Sequence, residues 1–290
     1  MTTITLAAGD LRLSIAPQLG AGIADFSIKG PTGGFYPIMR RAAPDETNAS
    51  LLASFFMAPW VNRISGAAFT FRGTRHALRP TTAEGTAQHG DVRRRPWRVI
   101  ERSDTAATLT YDSREVGDSN WPWSYTCRAV YRIDPDGLSI DLSVTNHDRE
   151  PFPAGCGHHP YFMRRLWNDG DDIQVRAGVA GRYPLAAGCA TGPAAADPLV
   201  NCLREFQPVP REHTDAVFAG FDGEAALRWP ASGITVRMTA SGNMRHLLLF
   251  APHAPLAPLA PEGSAGSTAP LAFIALEPQS QVNDELNLPD

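Results

Sequence analysis

A two-residue alternation of apolar and polar side chains restricts this chain more than anything else in it. Leu138, Ile140, Leu142 and Val144 alternate with Ser139, Asp141 and Ser143. Ile234, Val236, Met238 and Ala240 alternate with Thr235, Arg237 and Thr239. Period two fits strands, whose successive side chains face opposite ways, and not helices. Tyr125 to Ile133 reads as a third strand. It joins Leu138 through Asp134-Pro135-Asp136-Gly137, residues that favour a tight turn, so a hairpin is expected there. Further strands are expected at Ile4–Ala8, Leu11–Ala16, Ala68–Phe71, Trp97–Glu101, Thr108–Asp112, Ile173–Ala177, His246–Ala251 and Leu271–Leu276. The best helical pattern is short, Asn48 to Phe56. With 25 Gly and 25 Pro spread along 290 residues, many short strands and turns are implied. The expected fold is all-β, a large antiparallel β-sandwich with few short helices, built as a single domain over residues 1–290.

Composition narrows the function classes. The net charge of −4 carries no basic excess, so nucleic acid is not an expected partner. The runs Arg93-Arg94-Arg95 and Arg164-Arg165 read as solvated loops. The four cysteines, Cys127, Cys156, Cys189 and Cys202, form no C-x-x-C pair and are expected to be reduced and mostly buried. No stretch approaches the roughly 18 apolar residues of a membrane span, and the N-terminus does not read as a signal peptide. The expected setting is cytoplasmic, as a monomer or homodimer. Two segments rich in Ala, Gly and Pro, Ala186 to Pro198 and Ala254 to Pro270, read as long surface loops.

Four short segments carry the chemistry. They are Pro59-Trp60-Val61-Asn62-Arg63-Ile64 with Phe69-Thr70-Phe71-Arg72-Gly73 after it, Gln88-His89-Gly90, Gly157-His158-His159-Pro160-Tyr161-Phe162, and Leu276-Glu277-Pro278-Gln279. Their order and spacing, from about Ala58 to Asn287, resemble the aldose 1-epimerase (galactose mutarotase) family. That resemblance implies a many-stranded antiparallel β-supersandwich, in agreement with the alternation. It also implies interconversion of the α and β anomers of a free monosaccharide. His159 matches the family's general acid and Glu277 its general base. Arg63 and His89 match sugar-binding residues, and Asp215, in Thr214-Asp215-Ala216-Val217-Phe218, matches a sugar-binding aspartate more loosely. The chain departs from the family pattern at Asp91, where a second glycine is commoner, and at Met163-Arg164, where Asn-Leu is usual.

The reaction explains those residue types. Opening a hemiacetal ring takes a proton from O1 and puts one on O5, and closing on the other face reverses both transfers. A carboxylate and an imidazole can do this without redox chemistry, so neither cofactor nor metal is expected. A carboxylate beside an imidazole favours the charged imidazolium, and a bell-shaped pH profile follows. Neighbours on a strand point opposite ways, so only one of His158 and His159 can face the site easily, and the resemblance makes it His159, with His158 structural. Trp121-Pro122-Trp123 could supply an aromatic platform for a sugar or belong to the core. Other readings are a hexose-6-phosphate mutarotase using Arg94, Arg164 or Arg165, a non-catalytic carbohydrate sensor, and a metal enzyme holding its ion with His89, His159 and Glu277.

Overall fold

A computed structural model describes residues 1–253 and 271–288. The chain forms an antiparallel β-supersandwich. Its centre is a ten-stranded sheet. Across that sheet run Ile4–Ala8, Leu11–Ala16, Gly22–Lys29, Phe35–Met39, Gly157–Met163, Phe273–Gln279, His246–Ala251, Thr214–Ala219 and Gly181–Arg182, while Ser54–Met57 pairs with both Gly157–Met163 and Gly22–Lys29. Two four-stranded sheets accompany it. One holds Arg98–Arg102, Ala106–Asp112, Tyr125–Asp134 and Gly137–Asn146, and the other Gln207–Pro208, Gln174–Ala177, Glu224–Trp229 and Ile234–Thr239.

The alternation explains how these layers stack. On the strand Gly137–Asn146, Leu138, Ile140, Leu142 and Val144 turn inward while Ser139, Asp141 and Ser143 are exposed. One continuous apolar core takes side chains from all three sheets, among them Leu247, Leu249, Ile274 and Leu276 of the large sheet, Tyr125, Cys127 and Tyr131 of the first small sheet, and Val175, Leu227 and Trp229 of the second. Only one face of the large sheet is spent this way. The other carries Phe55, Tyr161, Phe273 and Ala275 in one apolar group and Val217 and Leu248 in another, with polar side chains set among them.

Several expected elements appear with the same ends: Ile4–Ala8, Leu11–Ala16, Ala68–Phe71 and His246–Ala251. Others differ. Asn48 to Phe56 is not a helix. Asn48 caps one 3-10 turn, Ala49–Leu51, and the chain then enters the buried strand Ser54–Met57, where packing on both faces overrides a helical pattern. The last strand spans Phe273–Gln279 and so runs past Leu276, which places Glu277 inside a central strand. Ala186 to Pro198 is not a plain loop, because Leu185–Ala186 pairs with Cys189–Ala190. The stretch 254–270 lies outside the described residues. All four cysteines are free, but Cys202 is exposed, unlike the mostly buried thiols expected. Among the described residues no helix is long and apolar enough to cross a membrane.

Candidate active site

The site is built by register. Gly157 pairs with Gln279 and Tyr161 with Ala275, so His159 stands opposite Glu277 on neighbouring strands. Opposed side chains in an antiparallel pair project from the same face with Cβ atoms about 4.5–5.5 Å apart. The result is a contact of 3.0 Å between His159 Nε2 and Glu277 Oε1, with the two side chains only 6% and 1% exposed. On its other side His159 faces Phe55, with ring centroids 4.6 Å apart, and Tyr161 lies at 4.5 Å. Gln279, two residues beyond Glu277 and therefore on the same face, donates from Nε2 to Glu277 Oε2 at 3.0 Å.

His158 confirms the pleat. It points to the opposite face, where Nε2 meets Ser54 Oγ at 2.8 Å and the ring packs on Phe56. Burial lowers its pKa to about 4, so it is a neutral structural group.

The first two motifs meet in space. Arg63–Ile64 and Ala87–Gln88 form a two-residue ladder, Arg63 opposite Gln88. The ladder brings in His89, whose φ is +61°, followed by Gly90 at +70°. Gly90 is required there: an added Cβ would lie 2.2 Å from the Ala58 carbonyl oxygen. The turn aims His89 at Met57 Sδ, 3.2 Å from Nδ1, and sets its ring perpendicular to His159 at 5.3 Å. Arg63 lies along Gly188, where an added Cβ would come within 2.6 Å of Nε. Asp215 sits at the edge of the same face, one row from Glu277: Asp215 pairs with Phe250, and Phe250 with Ala275.

The electrostatics differ from the expectation of a charged imidazolium. Burial, then the cations Arg40 and Arg93, hold His159 well below the usual imidazole range. Burial, reinforced by the negative charge of Asp215, holds Glu277 well above the usual carboxyl range. Asp215 is itself raised by burial, with Arg63 pulling the other way. His89 is lowered by burial and by Arg93. The dry environment therefore disfavours a charged pair despite the close contact.

The family model described as aldose 1-epimerase matches residues 2–289. The chain belongs to the aldose 1-epimerase family. It is 28% identical over 247 residues to the uncharacterized protein YphB of Escherichia coli strain K12, covering 82% of this chain and 77% of that one. In fold it is similar to a galactose mutarotase-like protein from Clostridium acetobutylicum (TM-score 0.81, 16% identity, 99% of this chain and 87% of that chain). It is also similar to a GalM/aldose epimerase homologue from C. elegans (TM-score 0.77, 16% identity, 100% and 93% covered).

The five residues singled out in the sequence, His159, Glu277, Arg63, His89 and Asp215, lie in this one region of the large sheet and its adjoining turns. Other expectations fail. Asp91 points away from this face. It pairs with Arg95 at 2.8 Å and accepts from the hydroxyls of Tyr111 and Tyr125 in the core. Of the two readings of Trp121-Pro122-Trp123 the core one holds: Trp121 stacks on Trp60 and Phe69, and Trp123 packs against Phe152. The run Arg93-Arg94-Arg95 is no solvated loop: Arg94 is exposed, but Arg93 is 3% exposed and Arg95 is pinned to Asp91. Arg164 bonds the Pro210 carbonyl, and Arg165 is exposed. Among the described residues no group of three or more His, Cys, Asp or Glu is placed to hold a metal. Arg40, Arg93 and Gln279 border the site without having been singled out for it. Only Gln279, within L-E-P-Q, carried a local signal.

Proposed function

We propose that this protein is a mutarotase that interconverts the α and β anomers of an aldose, with His159 as general acid and Glu277 as general base. The observation that carries the reading is the 3.0 Å contact of Nε2 with Oε1 in a buried setting bordered by Arg63, His89 and Asp215. A sugar lying across this pair offers O1 to the carboxylate and O5 to the imidazole. In the ionised form of the couple, reached when the shared proton passes from Oε1 to Nε2, Glu277 Oε1 takes the O1 proton as the C1–O5 bond breaks, and the His159 imidazolium delivers its Nε2 proton to O5. Gln279 holds the other carboxylate oxygen, so Oε1, the atom that meets His159, is the one that exchanges the proton. The open-chain aldehyde then lies beside a neutral carboxyl and a neutral imidazole, the state that burial favours at both positions. Rotation about C1–C2 and return of both protons close the ring on the other face. Positioned transfer of this kind is worth about 10²–10⁴ in rate.

Arg63 and Asp215 fit the task of holding the remaining hydroxyls while C1 stays free to turn. The test is polarimetry or proton exchange spectroscopy on freshly dissolved α-anomers of galactose, glucose, xylose, arabinose and fucose. Enzyme-dependent acceleration that disappears in Glu277→Gln supports the reading. Sugar binding with the rate left at its spontaneous value would make the protein a sensor instead.

A further inference from the structure

Beyond Gln279 the chain turns back onto the loop that carries Arg63. There Asp284 is buried and takes a left-handed backbone, φ +66°. Its N–H donates to the Arg63 carbonyl at 2.8 Å, and its Oδ1 accepts from the Ser65 N–H at 2.8 Å. Asn287 completes the grip, with Nδ2 at 2.8 Å from the same Oδ1, 3.3 Å from Ser65 Oγ and 3.0 Å from the Ala68 carbonyl. Asn283, also buried, reaches the other way. Its Nδ2 donates to the Gly188 carbonyl at 2.8 Å, and its own carbonyl accepts from the Ala190 N–H at 3.2 Å. Gly188 and Ala190 sit on the small hairpin that pairs Leu185–Ala186 with Cys189–Ala190. The tip of that hairpin lies along the Arg63 side chain: a Cβ on Gly188 would stand 2.6 Å from Nε and 3.1 Å from Cδ. Burial, then the negative charge of Asp284, pushes the Cys189 thiol up while Arg63 pulls it down, so the three groups share one corner.

Arg63 is thus held from two sides by two neighbouring residues. Asp284 fixes its backbone, through the Arg63 carbonyl and the Ser65 amide. Asn283 fixes the glycine surface along which its side chain runs. A free arginine explores many rotamers, and holding a ligand means giving them up. A bracket that places the side chain beforehand removes part of that loss from the binding step. The bracket follows the strand of Glu277, so it also sets the span between the carboxylate and the guanidinium. The residue type suits the backbone, because a left-handed φ is tolerated by aspartate and asparagine better than by other side chains. We propose that Asn283 and Asp284 are positioning residues that preset Arg63 for a sugar hydroxyl, and so govern affinity for the sugar rather than the rate of proton transfer. This rests on the mutarotase reading and extends it to two residues outside the proton-transfer couple.

The test compares Asp284→Ala, Asp284→Asn, Asn283→Ala and Arg63→Gln in the full chain. Asp284→Ala removes the acceptor for Ser65, whereas Asp284→Asn keeps an oxygen there and tolerates the backbone, so it is the conservative rescue. Exchange spectroscopy on the preferred aldose should show KM raised about three- to tenfold in Asp284→Ala and Asn283→Ala with kcat nearly unchanged, as when uniform binding is lost. Asp284→Asn should stay near the wild-type KM. Added to Arg63→Gln, Asp284→Ala should raise KM no further, because the arginine it places is gone. A loss of kcat with KM unchanged overturns the proposal. So does a KM rise that multiplies with that of Arg63→Gln, since a general loosening acts whether or not Arg63 is present. A second readout needs no sugar. Phenylglyoxal modifies accessible guanidinium groups, and peptide mass mapping reads each arginine separately. Arg63 should react several-fold faster in Asp284→Ala and Asn283→Ala than in wild type, while the exposed Arg165 keeps its wild-type rate. An unchanged rate at Arg63 overturns the proposal. Where Asp284→Ala folds poorly, Asn283→Ala carries both readouts. If wild type turns over no aldose, the mutarotase reading fails, and the modification rates at Arg63 alone decide whether the bracket holds it.

Discussion

His159 and Glu277 touch across adjacent antiparallel strands, Nε2 to Oε1 at 3.0 Å, and burial pushes their affinities for protons in opposite directions. The couple therefore holds one proton over a wide span of pH, as carboxyl and neutral imidazole. That joint behaviour sets the expectations for activity and for stability.

Because the two groups act as a unit, Glu277→Gln and His159→Gln should each lower kcat by about 10²–10⁴, and the double variant should fall little further than the worse single one. Exchange spectroscopy on the preferred aldose reads all three. Multiplying losses would mean that the residues act independently.

The pH–rate profile should have a top bounded by an acid and an alkaline limb. Its acid limb belongs to His159 and should lie below the ordinary imidazole value of 6.5, and its alkaline limb belongs to Glu277 and should lie above the ordinary carboxyl value of 4.5. Whatever rate survives in Glu277→Gln should lack the alkaline limb. An acid limb above 6.5 would show that the imidazolium, not the neutral ring, is the stable form.

Stability carries the same signature. Glu277 binds its proton more tightly folded than unfolded, so its favourable contribution is complete below 4.5 and is lost as pH rises toward the raised folded value. His159 behaves inversely: its contribution is complete above 6.5 and is lost as pH falls toward the lowered folded value. Glu277→Gln should therefore be more stable than wild type at pH 8 by on the order of 1 kcal/mol or more, with the gap closing toward pH 5. Thermal unfolding at the two pH values checks this, and a destabilised variant at pH 8 would contradict it.

Gly90→Ala should unfold more easily and lose activity together. The added Cβ would meet the Ala58 carbonyl oxygen at 2.2 Å, in a backbone with φ of +70°. The backbone conformation alone costs about 1–3 kcal/mol, and relief of the clash would displace His89. A fully stable, fully active variant would remove the reason for a glycine at this turn.

Asp91→Asn separates structure from site. It weakens the pairing with Arg95 and the bonds from Tyr111 and Tyr125, and should cost about 1–3 kcal/mol of stability. Since Asp91 points into the core, the folded variant should keep the wild-type KM. A large rise in KM would place Asp91 on the sugar face after all.

The strands were legible wherever one face is wet, because alternation survives there, as in Leu138 to Val144. Ser54–Met57 is buried on both faces and shows no alternation, so it reads as helix, whereas Gly22–Lys29 alternates from Ala24 to Lys29 but buries its polar Asp25 and Ser27 as well, and was passed over. His159, Glu277, Arg63, His89 and Asp215 were legible through motifs that pair directly in the sheet or adjoin those pairings. Arg40 and Arg93 were not. Arg40 follows a short strand, and Arg93 lies in a run whose exposed member, Arg94, looks identical in sequence. Only the third dimension shows which guanidinium faces inward.

The pleat that turns His158 into the core and His159 away from it divides the labour of the molecule. The proton-handling atoms are held by the hydrogen-bonded ladder of two central strands, while Arg40, Arg63, His89 and Arg93 sit on short strands, turns and connections outside those two. On the mutarotase reading, choice of substrate is free to drift by replacing side chains on those connections, with the proton-transfer couple left in place. A lineage could change its sugar without reinventing its reaction.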